Sequence, residues 1–296
     1  LAIKPIGPRI HLNGRADNMV YVRRISAEDF EFAVQLTDTM DWNLVEEDFE
    51  FMMDLEPEGC FMAIEDSEKI GVTTTISYGQ VGWVGNVIVS EEHRRRGIGA
   101  LLVKHSLDYL ASKGVGSVGL YAYPHLVSFY ERAGFEKDST LVVLKRKASS
   151  KSAKNLGKIR TRHLQKIIDL DALCFGASRE KLLKPILSNT ANLCYSKVEG
   201  KRVLGFIVAK TYSGMAEVGP MVCRQGREDA AFDLLKTTLT NLKGFEVSIY
   251  VSEKATSVLD TLLNLGFMEQ FRLVKMVYGM PFGEDCIYAA ESLERG

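Results

Sequence analysis

Apolar and polar positions along the chain switch repeatedly between two periods. Short stretches alternate with period two or run continuously apolar, and between them lie segments with helical spacing. Tyr21 to Ile25 reads as a strand, and Ser26 as a helix N-cap with Asp29 three residues on, leading into an amphipathic helix through Met40. Glu46 to Leu55 reads as a second helix, closed by Pro57 and Gly59. Cys60 to Asp66, Ile70 to Tyr78 and Trp83 to Val89 read as three strands, with turns at Ser67–Lys69 and Gly79–Gly82. Ile98 to Ser112 is a long helix whose core stripe is Leu101, Leu102, Leu107, Leu110 and Ala111. A strand from Val118 to Ala122, a short helix from Leu126 to Ala133 and a last strand from Thr140 to Leu144 follow.

The grammar then repeats. A strand at Ile159–Arg162 precedes helices His163–Cys174 and Arg179–Ser188. Strands are expected at Asn192–Val198, Val203–Tyr212 and Ala216–Met221, then a helix at Glu228–Leu242, a strand at Phe245–Val251, a helix at Ala255–Leu265 and a strand at Phe271–Tyr278. A local echo supports the repeat: YERAGF at Tyr130–Phe135 against LLNLGF at Leu262–Phe267. Between the halves, Lys145 to Lys158 (KRKASSKSAKNLGK) holds almost no large apolar side chain, which is linker composition. The expected organisation is an N-terminal extension at 1–18, an α/β (α+β) domain at 19–146, a linker at 147–157 and a second α/β domain at 158–296. Each should be a mixed, mostly antiparallel twisted sheet with helices on both faces.

Composition narrows the functional classes. The 296 residues are 46% hydrophobic and 25% charged, which excludes disorder of the whole chain, and 37 basic against 38 acidic residues leave no excess for a nucleic acid or an anionic membrane. No window reaches the roughly 18–20 apolar residues of a membrane helix, and Leu1 to Asn18 lacks an apolar run of signal-peptide length. The five cysteines are scattered and form no C-x-x-C pair, so neither a metal site nor a disulfide framework is expected. Buried thiols and a cytoplasmic location are the natural reading.

One segment carries chemistry. Residues 87–103 read VIVSEEHRRRGIGALLV: an apolar strand enters a basic, glycine-containing turn that opens a long helix. Helix N-termini present unpaired N–H groups with partial positive charge, a ready anion seat. Gly97 and Gly99 let a phosphate approach the main chain, and Arg94, Arg95 and Arg96 add charge. The R-x-x-G-x-G of Arg94–Gly99 is neither a Walker A loop nor a dinucleotide fingerprint.

With FYERAGF at Phe129–Phe135 some 30 residues on, the chain from Val20 to Leu144 resembles the GCN5-related N-acetyltransferase (GNAT) superfamily. The resemblance implies acetyl-CoA as cofactor, its pyrophosphate on Arg94, Arg95, Arg96, Gly97, Ile98, Gly99 and Ala100. It implies the pantetheine arm in a V-shaped gap between the strand ending at Val89 and the strand near Leu120, held by main-chain groups of Ile88 and Val89. It also implies Tyr130 as the acid that protonates the leaving thiolate. For the acceptor site, Asn86 is the polar side chain of the central strand and could orient substrate or water but not act as a base. Tyr121, Tyr123 and His125 follow the partner strand, and His125 has a suitable ordinary pKa for a base. Trp42, Asn43, Tyr78 and Trp83 could line a pocket for a cationic amine, and Glu47 or Asp48 could recognise it.

The second half resembles the degenerate domain of YitH-type tandem acetyltransferases. Its turn at Cys223–Glu228 keeps Gly226 without R-x-x-G-x-G, and Leu262 stands in place of the tyrosine. A role in shaping the substrate site or a homodimer, without catalysis, is expected. Glu217, Cys223 and Tyr250 are its candidate cleft residues. The reading is acetyl transfer to a primary amine of a small molecule. A peptide acceptor and a non-catalytic acyl-CoA sensor are the alternatives.

Overall fold

The computed structural model describes residues 10–11, 19–148, 163–283 and 286–296. They form two compact units. Unit 1 holds the described residues up to Leu120 with Arg132–Gly134 and Arg295; unit 2 holds Tyr121–Glu131, the described residues from Phe135 to Glu294, and Gly296.

Unit 1 contains β1 (Ile10–His11), β2 (Met19–Arg24), α1 (Phe30–Asp38), α2 (Glu46–Leu55), β3 (Cys60–Glu65), β4 (Glu68–Ser77), β5 (Val81–Val89), α3 (Ile98–Ser112) and the start of β6 (Ser117–Ala122). The strands lie in chain order, antiparallel until β6, which pairs parallel with β5. That parallel pair requires a crossover, which α3 supplies. All six residues of β3 are buried, so both sheet faces are covered. On one of them Ile98 and Leu102 of α3 pack with Val20, Val22, Phe61, Ala63, Ile70 and Val89. The β3–β4 hairpin turns on Asp66 and Ser67, both with positive φ (47° and 73°), the geometry that matches strand twist in a two-residue turn. Asp29, expected as Ser26's partner, accepts from the Ser26 N–H at 2.9 Å, closing a 3-10 turn (Ala27–Asp29) before α1.

Unit 2 contains most of α4 (Val127–Arg132), β7 (Glu136–Arg146), α5 (Leu164–Phe175), α6 (Glu180–Ser188), β8 (Leu193–Glu199), β9 (Arg202–Tyr212), β10 (Met215–Cys223), α7 (Glu228–Asn241), β11 (Glu246–Ser252), α8 (Thr256–Asn264), β12 (Met268–Gly279) and β13 (Ile287–Ala289). Its strands run β12-β7-β11-β13-β10-β9-β8, with β10 and β11 also paired directly and in parallel. The core joins Val142 and Leu144 of β7 to Ile207, Val218, Leu235, Ile249 and Leu262.

Several expectations shift. β7 starts at Glu136 rather than Thr140, because its polar first residues pair with β12. Placed by its apolar run as the end of the first repeat, β7 packs in unit 2, between β11 and β12. The short helix expected at Leu126–Ala133 is a 3-10 turn at Pro124–Leu126 followed by α4. Ile10–His11, within the stretch set aside as an extension, pairs with β2. The strand expected at Ile159–Arg162 and most of the linker lie outside the described residues. All five cysteines are buried and outside any disulfide; burial, with Glu56 nearby, pushes the Cys60 thiol up to about 12.

Candidate active site

β5 and the turn after it form the core of the site in unit 1. Val72 pairs with Ile88 and Thr74 with Gly85, so Thr73 alone faces both Asn86 and Val87. This is a β-bulge, and Asn86 takes the left-handed conformation (φ 52°) that bulges demand and asparagine tolerates. The Asn86 side chain is buried; its Nδ2 donates to Thr74 Oγ1 at 3.2 Å, while its Oδ1 has no hydrogen-bond partner among the described residues. On the other edge, β6 pairs with β5 only at Val81–Trp83. Beyond Trp83 no strand pairs with that edge among the described residues. Ile88 and Val89, with buried side chains, therefore lie on a stretch of β5 that has no strand on that side among the described residues.

The turn that follows is wound by two left-handed residues, Arg95 (φ 60°) and Gly97 (φ 87°). Gly97 is the N-cap of α3 and provides no capping side chain, and the first turn of α3 carries no acid. The N–H groups of Ile98, Gly99 and Ala100 thus keep their positive end free of a protein anion. The three arginines divide their work. Arg94 is exposed and donates from Nε to the Val89 carbonyl at 2.9 Å, and its Nη2 lies 3.8 Å from Met40 Sδ, just before Trp42. Arg95 is exposed and makes no hydrogen bond or ion pair among the described residues. Arg96, expected at a phosphate, pairs with the buried carboxylate of Glu65. Glu65 also meets His93 Nε2 at 3.3 Å, and His93 Nδ1 lies 2.9 Å from Ser90 Oγ, which donates to the Ile70 carbonyl. This chain of contacts fastens the turn to the ends of β3 and β4.

The acceptor-side candidates of unit 1 lie on a loop, a helix and the β4–β5 hairpin. Trp42 is half-buried and Asn43 exposed, on the loop between α1 and α2; Asn43 (φ 54°) donates from Nδ2 to the Asp41 carbonyl. Tyr78 is buried, and its hydroxyl donates to the Arg295 carbonyl at 2.9 Å. Trp83 is fully enclosed in the core. Asp48 accepts the Val45 N–H at 3.0 Å, capping α2, while Glu47 is exposed.

The other candidates belong to unit 2. Tyr121 is half-buried and desolvation raises its pKa. His125 is exposed and stacks on Tyr123, with ring centroids 5.8 Å apart. Tyr130 on α4 is buried edge-on to Phe129 and Phe135. Burial holds its phenol well above the ordinary value, so the hydroxyl stays protonated across the neutral range. Leu262, in the corresponding place of the second repeat, is a core residue. Cys223 is core too, whereas Glu217 pairs with Lys210 at 3.3 Å.

A bulged strand, a left-handed turn, a capless helix N-terminus and a parallel partner strand beyond it occur together here. Residues 20–135 match the acetyltransferase (GNAT) family, and residues 167–289 match an acetyltransferase (GNAT) domain. The chain belongs to the GCN5-related N-acetyltransferase family. It is a GNAT transferase with two such domains in tandem. Over 198 residues it is 23% identical to the uncharacterised N-acetyltransferase YitH of Bacillus subtilis (strain 168), covering 64% of this chain and 67% of that one. A Pyrococcus horikoshii structure described as an acetyltransferase superposes with a TM-score of 0.77 at 19% identity, over 98% of this chain and 99% of the other. A tandem GNAT protein from the clavulanic acid pathway gives 0.59 at 12% identity, over 90% and 100%. At these identities the likeness to the solved structures is one of fold. No helix among the described residues is long and apolar enough to cross a membrane.

Sequence reasoning missed Glu65, His93, Ser90 and Thr74. An acid ending an apolar strand, directly before a tight turn, was a signal for Glu65; its partner Arg96, 31 residues on, was visible only in the fold.

Proposed function

We propose that this GNAT enzyme binds acetyl-CoA along β5 and the turn into α3, and transfers the acetyl group to a primary amine of a small molecule. The observation that carries the proposal is the uncapped, acid-free N-terminus of α3 behind two left-handed residues, directly continuous with the open edge of β5. The donor set suits the ligand: consecutive N–H groups with Arg94 and Arg95 for a diphosphate, and strand main chain for a peptide-like arm. Acetyl-CoA would supply the acetyl group as a thioester, activated toward a neutral amine.

The chain's own residues supply the rest. Main-chain N–H groups released by the bulge are suited to stabilise negative charge on a carbonyl oxygen. The unpaired Oδ1 of Asn86 is suited to accept an amine N–H and orient its lone pair. Tyr130 is the proton donor to the leaving sulfur. A phenol with its pKa raised by burial is a weak acid for a thiol of ordinary pKa about 8.5, so transfer requires a thiolate desolvated to a similar degree. A CoA-release assay over small amines, amino acids and peptides tests the proposal. Turnover with small amines is expected, turnover confined to peptides would move the acceptor to protein, and acetyl-CoA binding without turnover on any amine would make the chain a sensor.

A further inference from the structure

Unit 2 repeats the βαβ core of the family and then fills it. β10 and β11 pair in parallel only from Met215–Val218 against Glu246–Ile249, and α7 crosses between them, as β5, α3 and β6 do in unit 1. Past Val218 the two strands of unit 2 part. Into that gap the chain inserts its own residues: β13 pairs antiparallel with β10 (Met221 with Ala289, Val222 with Ile287) and with β11 (Val251 with Ala289).

The fit is close and made by main chain. The Cys223 N–H donates to the Cys286 carbonyl at 3.0 Å, and the Ala290 N–H donates to the Tyr250 carbonyl at 2.9 Å. At Gly219 a Cβ would stand 1.8 Å from the Ala290 carbonyl oxygen, so β10 accepts the inserted segment there only because glycine has none. Cys286, Ala289, Ala290, Glu291 and Ser292 are all buried. Lys210 on β9 latches the segment by donating to the Glu291 carboxylate at 2.6 Å and to its main-chain carbonyl at 2.8 Å.

The anion end of the same unit is also taken up internally. The first turn of α7 carries Glu228 and Asp229, which oppose an incoming anion where α3 has none. Of the two arginines at that turn, Arg224 donates from Nε to the Val203 carbonyl at 2.9 Å, and Arg227 is bound by two hydrogen bonds of 2.8 Å to Asp229 and by Glu199. The Arg227 pairing holds the Asp229 carboxyl at about 2.

We infer that the segment 286–292 is an intramolecular occupant of the second acyl-CoA groove, a peptide strand standing where a pantetheine arm would lie. A pantetheine arm offers two amides to strand edges, and a peptide offers the same groups without the entropy of binding a free ligand. The inference rests on the reading of unit 1 as the acetyl-CoA site and assigns one cofactor per chain, with unit 2 closed to it.

Equilibrium dialysis of radiolabelled acetyl-CoA against the full chain, with hydrogen exchange by mass spectrometry, tests this. The expected result is one equivalent per chain, none after Arg94→Glu with Arg95→Glu, and protected amides over 286–292 whether or not acetyl-CoA is saturating. A second equivalent, saturable binding that survives the double charge reversal, or loss of protection at 286–292 on adding acetyl-CoA would overturn it. If the wild-type chain bound no acetyl-CoA at all, the proposed function of unit 1 would fail, while the closed groove of unit 2 would stand.

Discussion

Replacing Asn86 by glycine separates what this residue does for the fold from what it does for the reaction. The substitution removes the 3.2 Å hydrogen bond to Thr74 Oγ1, about 1 kcal/mol, and adds about 0.5–1 kcal/mol of chain entropy in the unfolded state. Against this, it removes a buried Oδ1 with no partner, a desolvation cost of about 1–3 kcal/mol, and frees a left-handed backbone from its Cβ, a gain of up to about 1 kcal/mol. The terms nearly cancel, and the melting midpoint should stay within about 5 °C of wild type. Catalysis has no such cancellation: if Oδ1 orients the amine, kcat/KM for the amine falls about 10–100-fold, the loss of one hydrogen bond to a reacting group. Asn86→Ala is the control, with the same activity loss and a stability within about 0.5 kcal/mol of the glycine variant, because the strain of a Cβ at φ 52° is offset by alanine's smaller unfolded-state entropy. The assays are calorimetry and steady-state CoA release. A glycine variant that loses more than about 8 °C and keeps full kcat/KM would show that the amide serves the bulge alone and refute the reasoning.

Tyr130→Phe keeps the ring packed on Phe129 and Phe135, so acetyl-CoA affinity should hold while kcat falls about 10²–10⁴-fold, read by comparing dialysis with turnover. Arg94→Glu with Arg95→Glu should abolish saturable acetyl-CoA binding, and the wild-type affinity itself should drop with added salt, both measurable by titration calorimetry. Asp29→Asn should destabilise unit 1 by about 2–4 kcal/mol in urea unfolding, because it breaks a buried carboxylate bridging Arg23 and Lys69. Burial alone would raise the Asp29 pKa, but hydrogen bonds from Arg23, Lys69 and the Ser26 N–H outweigh it and hold the carboxyl well below the usual range. Its contribution is therefore complete above the unfolded pKa of about 4 and declines as pH falls below that; a wild-type-minus-Asp29→Asn stability difference that grew on acidification would contradict this sign.

Local chemistry in the sequence was enough for the repeat, most element types and the left-handed turn into α3. Period-two and helical spacing report which face of a segment is buried, and these are local quantities. R-x-x-G-x-G before an amphipathic helix is legible because left-handed backbone at Gly97 and an uncapped helix start are both consequences of residues close in the chain. The bulge at Asn86 was half legible, since a polar residue inside an apolar strand marks the place without giving the conformation.

Pairing between distant residues was decided by the tertiary structure alone. The ion pair of Arg96 with Glu65, on another strand, is invisible in the sequence. Tyr78 was read as a pocket wall, and the fold gives its hydroxyl to the Arg295 carbonyl. β7 carries four consecutive buried apolar residues, Leu141–Leu144, which suit any interior strand; only the available edges of β11 and β12 fixed where it went. β13 is three residues long and has no periodicity to read. It exists because two parallel strands diverge and leave main-chain groups that must be satisfied, a demand set by the sheet and met by a segment about 40 residues further along.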